Sequence, residues 1–325
     1  MKPSLPEPGF KKTELVWVTG ASGFIGRHLV RGLAARGLRV VGFGRAAADP
    51  LPEGLVRSVA GSLSAEALDE AIAAQGAPTA VYHFAGGSTV GASIADPIAD
   101  FDSSVAATAR LLDALRRHAV TVPVVLASSA AVYGGAHDGA IGTAVNTAPF
   151  SPYGHHKLMA EQLGLAYAET YGMRVTILRL FSIYGPEIGK QVVFDLCTRL
   201  AAGQDPVMLG GSGLERRDWC HVSDVVRLCT ALPSAQPGHP DLFNVGSGVG
   251  TTIAEVARIV REAWGGGAKI GFSGQSRPGD PFSLVADPAS LPPGFAPKVS
   301  VEQGLTGFVD WFRKVGPGTS EARRG

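Results

Sequence analysis

After a polar, proline-punctuated start, the chain runs through Leu15-Val16-Trp17-Val18-Thr19, an apolar stretch too short for a helix and rich in β-branched residues, which predicts a buried strand. Comparable runs recur at Arg39 to Phe43, Val56 to Val59, Ala80 to Phe84, Val122 to Ser128 and Arg174 to Leu180. Between most of them the apolar period lengthens to that of an amphipathic helix. Leu29, Val30 and Leu33 mark one such face, and Val105, Leu111, Leu112 and Leu115 mark another within Phe101 to His118. A further helix is predicted from Tyr153 to about Tyr171. Short, uniformly apolar strands alternating with helices build a doubly wound parallel sheet covered on both faces, so the fold class is α/β. After Leu180, Gly and Pro break the pattern at Tyr184-Gly185-Pro186, Gly210 to Gly213, Pro233 to Pro240, Gly265 to Gly267 and Pro292-Pro293. That punctuation predicts a smaller, loop-rich C-terminal lobe, and flexible tails are expected at residues 1–13 and 316–325.

Composition narrows the function classes. With 325 residues and 45% hydrophobic content, the chain can bury one large core or two modest ones. A net charge of +1 leaves no general footprint for nucleic acid or a membrane surface. No apolar stretch is long enough to span a bilayer, and Met1 to Thr13 carries prolines and charges where a signal peptide needs an apolar run; a cytoplasmic location is expected. Cys197, Cys220 and Cys229 are odd in number and scattered, which fits reduced thiols, and the 8 histidines form no metal-ligand spacing, so no metal is expected.

Two patterns carry chemistry. In Ser151-Pro152-Tyr153-Gly154-His155-His156-Lys157, an i, i+4 pair places a phenol and an ammonium on one helical face. A fixed cation near a phenol favours the phenolate and brings its pKa from ~10 toward neutrality, which would make Tyr153 a general acid/base. Any amphipathic helix can also place Tyr and Lys four apart. The second pattern is Gly20-Ala21-Ser22-Gly23-Phe24-Ile25-Gly26, lying between a strand and a helix. Glycines there let the backbone turn tightly and approach a pyrophosphate at the helix N-terminus, although the spacing is GxxGxxG rather than GxGxxG.

With Ser128-Ser129-Ala130-Ala131-Val132-Tyr133-Gly134 at the end of the fifth run, these patterns resemble the extended short-chain dehydrogenase/reductase family, in its nucleotide-sugar epimerase, dehydratase and reductase branch. Arg217-Asp218-Trp219-Cys220-His221-Val222-Ser223-Asp224-Val225, Phe243-Asn244-Val245-Gly246-Ser247-Gly248 and Arg277-Pro278-Gly279-Asp280 are similar to three later motifs of that branch. The resemblance runs from about Leu15 to about Phe312. It implies a Rossmann-like domain over residues 14–180, with a returning segment at about 218–250, and a nucleotide-sugar-binding lobe from 181–217 and 251–315. It implies Ser129, Tyr153 and Lys157 as the catalytic set, with Ser128 structural. The cofactor site implied is Gly20, Gly23, Phe24, Ile25, Gly26, Gly44, Arg45, Ala85 and Lys157. Arg217 and Arg277 are expected on the substrate diphosphate, with Ser182 where the branch commonly has an Asn. Lys190, Gln191 and Phe194 are expected near the nucleotide or the sugar. Helix Phe101 to His118 and the helix from Tyr153 either cover the sheet or also form a homodimer face.

The resemblance also orders the possible reactions. The branch's 4,6-dehydratases carry an Asp and a Glu at the positions of Ala130 and Ala131, and its epimerase-reductases a cysteine at Ala131; none is present here. What remains needs only Ser, Tyr and Lys: oxidation or reduction at one carbinol, with C4 expected. NAD-using members end the second strand in Asp, whereas this chain has Gly44 followed by Arg45. An arginine offers a charge-assisted fork to a 2′-phosphate, so NADP(H) is expected, with NAD(H) possible. The leading expectation is therefore NADPH-dependent reduction of a 4-keto nucleotide-diphosphate sugar. Its alternative is an NAD(P)-dependent nucleotide-sugar 4-epimerase, and a non-enzymatic dinucleotide sensor is a minor third.

Overall fold

The structure, a computed structural model, describes residues 11–44, 54–135, 137, 139–232, 236–275 and 281–316. Its first part alternates strand and helix: β1 (Leu15–Thr19), α1 (Phe24–Ala34), β2 (Arg39–Gly44), β3 (Leu55–Ala60), α2 (Ala65–Gln75) and β4 (Ala80–His83). Helices α3 (Val90–Ala95) and α4 (Pro97–Phe101) lead through a π-helical turn (Asp102–Ala106) into α5 (Ala107–His118). Next come β5 (Val124–Ser129), a 3-10 turn (Ala130–Tyr133), α6 (Pro152–Tyr171), β6 (Val175–Leu180) and β7 (Ser182–Tyr184). The chain continues with α7 (Gln191–Ala201), β8 (Val207–Leu209), β9 (Arg216–His221), α8 (Val222–Ala231), β10 (Asp241–Val245), β11 (Gly250–Thr252) and α9 (Ile253–Trp264). Strands β12 (Ile270–Phe272) and β13 (Ser283–Leu284) precede α10 (Val301–Val315).

Seven strands form a sheet in the order β10-β6-β5-β4-β1-β2-β3, every neighbouring pair parallel. This is a Rossmann-like arrangement, in which the strand order reverses beside β1 and opens a crevice beyond the C-terminal ends of β1 and β4. Burial follows the strand period. Val16 and Val18 face a core shared with Leu29, Leu33, Val225 and Leu228 of α1 and α8, while Leu15 and Trp17 face the opposite core with Leu111, Leu115 and Ala168 of α5 and α6.

The five sequence-read strands after β1 shift by one or two residues, and the helix expected from Phe101 to His118 starts earlier and is interrupted by the π turn. Beyond β6 the chain is more helical than its Gly and Pro content suggests, because those residues lie largely in the connections. Helices α7, α9 and α10 bury a core of their own around Tyr184, Trp219, Val256, Phe308 and Phe312. Phe194, expected beside the ligand, belongs to that core, with its ring 5.5 Å from Phe312. The three cysteines are buried and unbonded to one another. Among the described residues no helix is long and apolar enough to cross a membrane.

Candidate active site

The crevice is built by backbone that only glycine permits. Gly20 adopts φ +69°, and a Cβ there would lie 2.6 Å from the Phe84 carbonyl oxygen, so the loops after β1 and β4 pass in contact. A Cβ on Gly26 would collide with the Gly20 carbonyl, which is how α1 packs down onto the turn. Gly23 is the N-cap of α1 and brings no side-chain cap, and no acidic residue occupies the first helical turn. The first N–H groups of α1 and its positive dipole end therefore meet no side-chain competitor for an anion. Phe24 and Ile25 pack partly buried against the core beneath. Ala85 is held by its N–H, which donates to Thr19 Oγ1 at 3.2 Å.

The Ser129, Tyr153 and Lys157 side chains gather beside this crevice. Ser129 ends β5 and is the N-cap of the 3-10 turn, its hydroxyl accepting from the Ala131 N–H at 3.2 Å. Tyr153 and Lys157 lie on the first turns of α6, which starts at Pro152 after a Ser151 cap. The Lys157 ammonium stands 5.8 Å from the Tyr153 ring centre and 3.5 Å from the Ala127 carbonyl. Burial pulls Lys157 down to about 8.

The Tyr153 phenol departs from the expectation that Lys157 lowers it. It is held above the ordinary tyrosine value, because burial disfavours the phenolate and the Asp100 carboxylate opposes a second negative charge. The hydrogen bond with Ser129 acts in the lowering direction.

Behind these groups lies a buried polar network with no counterpart in the sequence reading. Glu161, one turn beyond Lys157, accepts from Ser128 Oγ at 2.5 Å, from Arg179 Nε at 2.9 Å and from Arg179 Nη2 at 2.7 Å. Arg179 also donates to the Tyr133 hydroxyl at 2.8 Å, which donates to Asn244 Oδ1 at 2.7 Å. The parallel register pairs Ser128 with Arg179, so both strands present partners to one helical carboxylate. Glu161 was recoverable in principle as a charged residue among the small residues Ala160, Gly164 and Ala168 on the inward face of α6.

On the other side, Ser182 of β7 pairs with Trp219 of β9, two residues along from Arg217, which joins the two expected substrate residues through adjacent strands. Arg217 Nη1 donates to the Arg216 carbonyl at 2.9 Å. Asp218 is not a ligand group: its carboxylate accepts from the backbone N–H groups of Ser247, Gly248 and Ala286, locking the 243–248 turn to β9. His221 caps α8 and Asp224 binds the backbone of Lys298 and Val299, so these motif residues serve architecture. Lys190 reaches the Ser88 carbonyl at 2.8 Å, and burial brings its ammonium to about 8. Gly44 ends β2, where a Cβ would lie 2.9 Å from Ser22 Oγ. Arg45 and Arg277 lie outside the described residues.

A parallel sheet with a glycine turn at its reversal point, and a Ser, Tyr and Lys beside that turn, defines an enzyme of the short-chain dehydrogenase/reductase class. Residues 16–246 match the model of the NAD dependent epimerase/dehydratase family, and the chain belongs to that family. It is 31% identical to a UDP-glucose 4-epimerase of Azospirillum brasilense over 94% of both chains. It is also 31% identical to a dTDP-glucose 4,6-dehydratase of an Actinoplanes strain, over 92% of this chain and 97% of that one. Among solved structures, MoeE5 in complex with UDP-glucuronic acid and NAD superposes with a TM-score of 0.80 at 33% identity, covering 92% of this chain and 99% of that one.

Proposed function

We propose that the protein is a nucleotide-diphosphate-sugar 4-epimerase working with a resident dinucleotide. One observation carries the reading: the Tyr153 phenol is hydrogen-bonded with Ser129, and the residues that follow Ser129 in the same turn are Ala130 and Ala131. Elimination of water needs a second acid/base on the sugar, and two methyl groups offer none. Glu161, the nearest carboxylate on α6, is committed to Arg179. The 4-epimerase relatives therefore suit this site better than the dehydratase relatives, and both outweigh the expected 4-keto reduction.

The glycine turn, the uncapped α1 N-terminus and Lys157 fit a dinucleotide, which would supply hydride acceptance and return at C4. In the proposed reaction Tyr153 takes the proton from the C4 hydroxyl and later gives it back, while Ser129 holds that oxygen. Lys157 keeps a positive charge beside both. Arg217, Arg277 and Ser182 bind the diphosphate end, which assigns the β7–β9 region and the α7, α9 and α10 lobe to the sugar nucleotide. Epimerisation returns every proton it takes, so no other acid is required.

The test is incubation of the purified protein with UDP-glucose or UDP-glucuronic acid and no added cofactor, with products separated by chromatography. The 4-epimer is expected; a 4-keto-6-deoxy product or no product from either sugar would overturn the reading. Gly44 favours a second reading, NADPH-dependent 4-keto reduction, since β2 ends without the carboxylate that repels a 2′-phosphate. That reading requires tighter binding of NADPH than of NADH, with Arg45→Ala narrowing the gap by roughly 1.5 to 3 kcal/mol. Equal affinities would remove it.

A further inference from the structure

Asp100 and His156 form a buried hydrogen-bonded pair on the flank of the reacting groups, with His156 Nδ1 donating to Asp100 Oδ2 at 2.6 Å. Neither takes part in the proton transfer described above. Asp100 is the penultimate residue of α4, which runs into the π turn, a feature often found where a helix is re-aimed at a functional site. His156 lies on α6, three residues after Tyr153 and one before Lys157. The Gly86-Gly87 turn after β4 ties the two sides together. A Cβ on Gly86 would lie 3.0 Å from the Lys157 ammonium, and one on Gly87 would collide with the Asp100 carboxylate. The carboxylate and the ammonium therefore press on the same dipeptide. Ser104 of the π turn accepts from its Gly87 N–H at 2.8 Å and fixes it in place.

We propose that Asp100, held by His156, is the positioning carboxylate that keeps Lys157 charged and sets the pH window in which Tyr153 works. The role of that window rests on the proposed epimerase reading, but the charge relation does not. The charged and titratable neighbours of Lys157 divide cleanly. Tyr153, His156 and Glu161 come from its own helix, His83 from β4, Lys190 from the start of α7 and Asp100 from α4. Glu161 is paired with Arg179 through a bidentate bond, and Lys190 repels. Asp100 and Glu161 both support the ammonium, and the effect of Asp100 ranks above that of Glu161. The same charge disfavours a phenolate at Tyr153. Removing it would move both groups the same way: the ammonium loses support and deprotonates at lower pH, and the phenol loses opposition and does likewise.

The test is a pH titration of the full chain labelled with carbon-13 at lysine Cε, followed by NMR without substrate, with the Lys157 signal assigned by its loss in Lys157→Met. A wild-type midpoint of about 8 is expected. Asp100→Asn should lower it by about one pH unit. His156→Leu should lower it in the same direction, and His156→Asn, which retains a donor toward the carboxylate, should restore the wild-type midpoint. An unmoved midpoint in folded Asp100→Asn overturns the proposal, and His156→Leu decides in the same way if Asp100→Asn does not fold. Where wild-type epimerisation is measurable, both limbs of the pH–rate profile should move to lower pH in Asp100→Asn. Absence of epimerisation with a shifted midpoint would count against the function alone, and epimerisation with an unshifted midpoint against this inference alone.

Discussion

At the scale of single residues, Tyr153 is a phenol whose surroundings oppose its ionisation, with burial and Asp100 on one side and the Ser129 hydrogen bond on the other. In the proposed reaction the ionised form of such a group is a strong base toward the C4 hydroxyl, and its phenol form carries the proton that is returned. In the proposed reaction Tyr153→Phe deletes that proton and little volume. Turnover should fall by a factor on the order of 10² to 10⁴, the usual contribution of a positioned acid/base, while substrate affinity measured by calorimetry stays near wild type. Turnover within a few-fold of wild type would remove Tyr153 from the mechanism. Tyr153 and Lys157 were legible because their relation is local, four residues on one helix. Asp100 was not, because its partner lies 56 residues away and only the fold brings them together. His156 shares the buried side of α6 with the charged Lys157 and Glu161, and nothing in that local pattern names its partner.

At the scale of elements, α6 carries Tyr153 and Lys157, and the proposed reaction requires it to keep a fixed height above the sheet. Glu161 provides this by binding Ser128 of β5 and Arg179 of β6 at once. Removing one partner of a buried ion pair leaves the other charge without compensation, at a cost of about 3 to 5 kcal/mol. Glu161→Gln should therefore lose stability of that order in urea unfolding, and lose turnover before it loses fold as α6 shifts from Ser129. A loss below about 1 kcal/mol would mean that the network is not holding the helix. Strands β1 to β6 were readable from short apolar runs, since parallel strands buried on both faces leave an uninterrupted signal. The π turn was invisible, because one extra residue in a helix changes the phase of the apolar face without erasing it. Helices α7, α9 and α10 were masked by the Gly and Pro of their connections.

For the whole molecule, His83 at the end of β4 ties the sheet to one of its covering helices beside the crevice. Its ring bonds Thr19 Oγ1 at 2.6 Å and Thr108 Oγ1 at 2.9 Å, joining β1, β4 and α5, and burial lowers it to about 3. A histidine depressed in the folded state is protonated first in the unfolded chain. Stability from this group is full above the unfolded value of ~6.5 and is lost as pH falls toward about 3. At about 1.4 kcal/mol per pH unit, roughly 2 kcal/mol should be lost between pH 6.5 and pH 5. Denaturant titrations of the protein and of His83→Gln across that range check it: the slope should flatten in the variant, and an equal slope in both would place the acid sensitivity elsewhere.

The central claim is that one proton-transfer site beside one dinucleotide inverts C4 of a nucleotide sugar. Its most direct measurement is the fate of deuterium in UDP-glucose labelled at C4, or in the C4-labelled glucuronic acid analogue, incubated with the purified protein without added cofactor. The account predicts the 4-epimer with deuterium retained at C4 and a slower rate than for the unlabelled sugar. Deuterium exchanged into water, or a product formed only with stoichiometric consumption of NADPH, would contradict it.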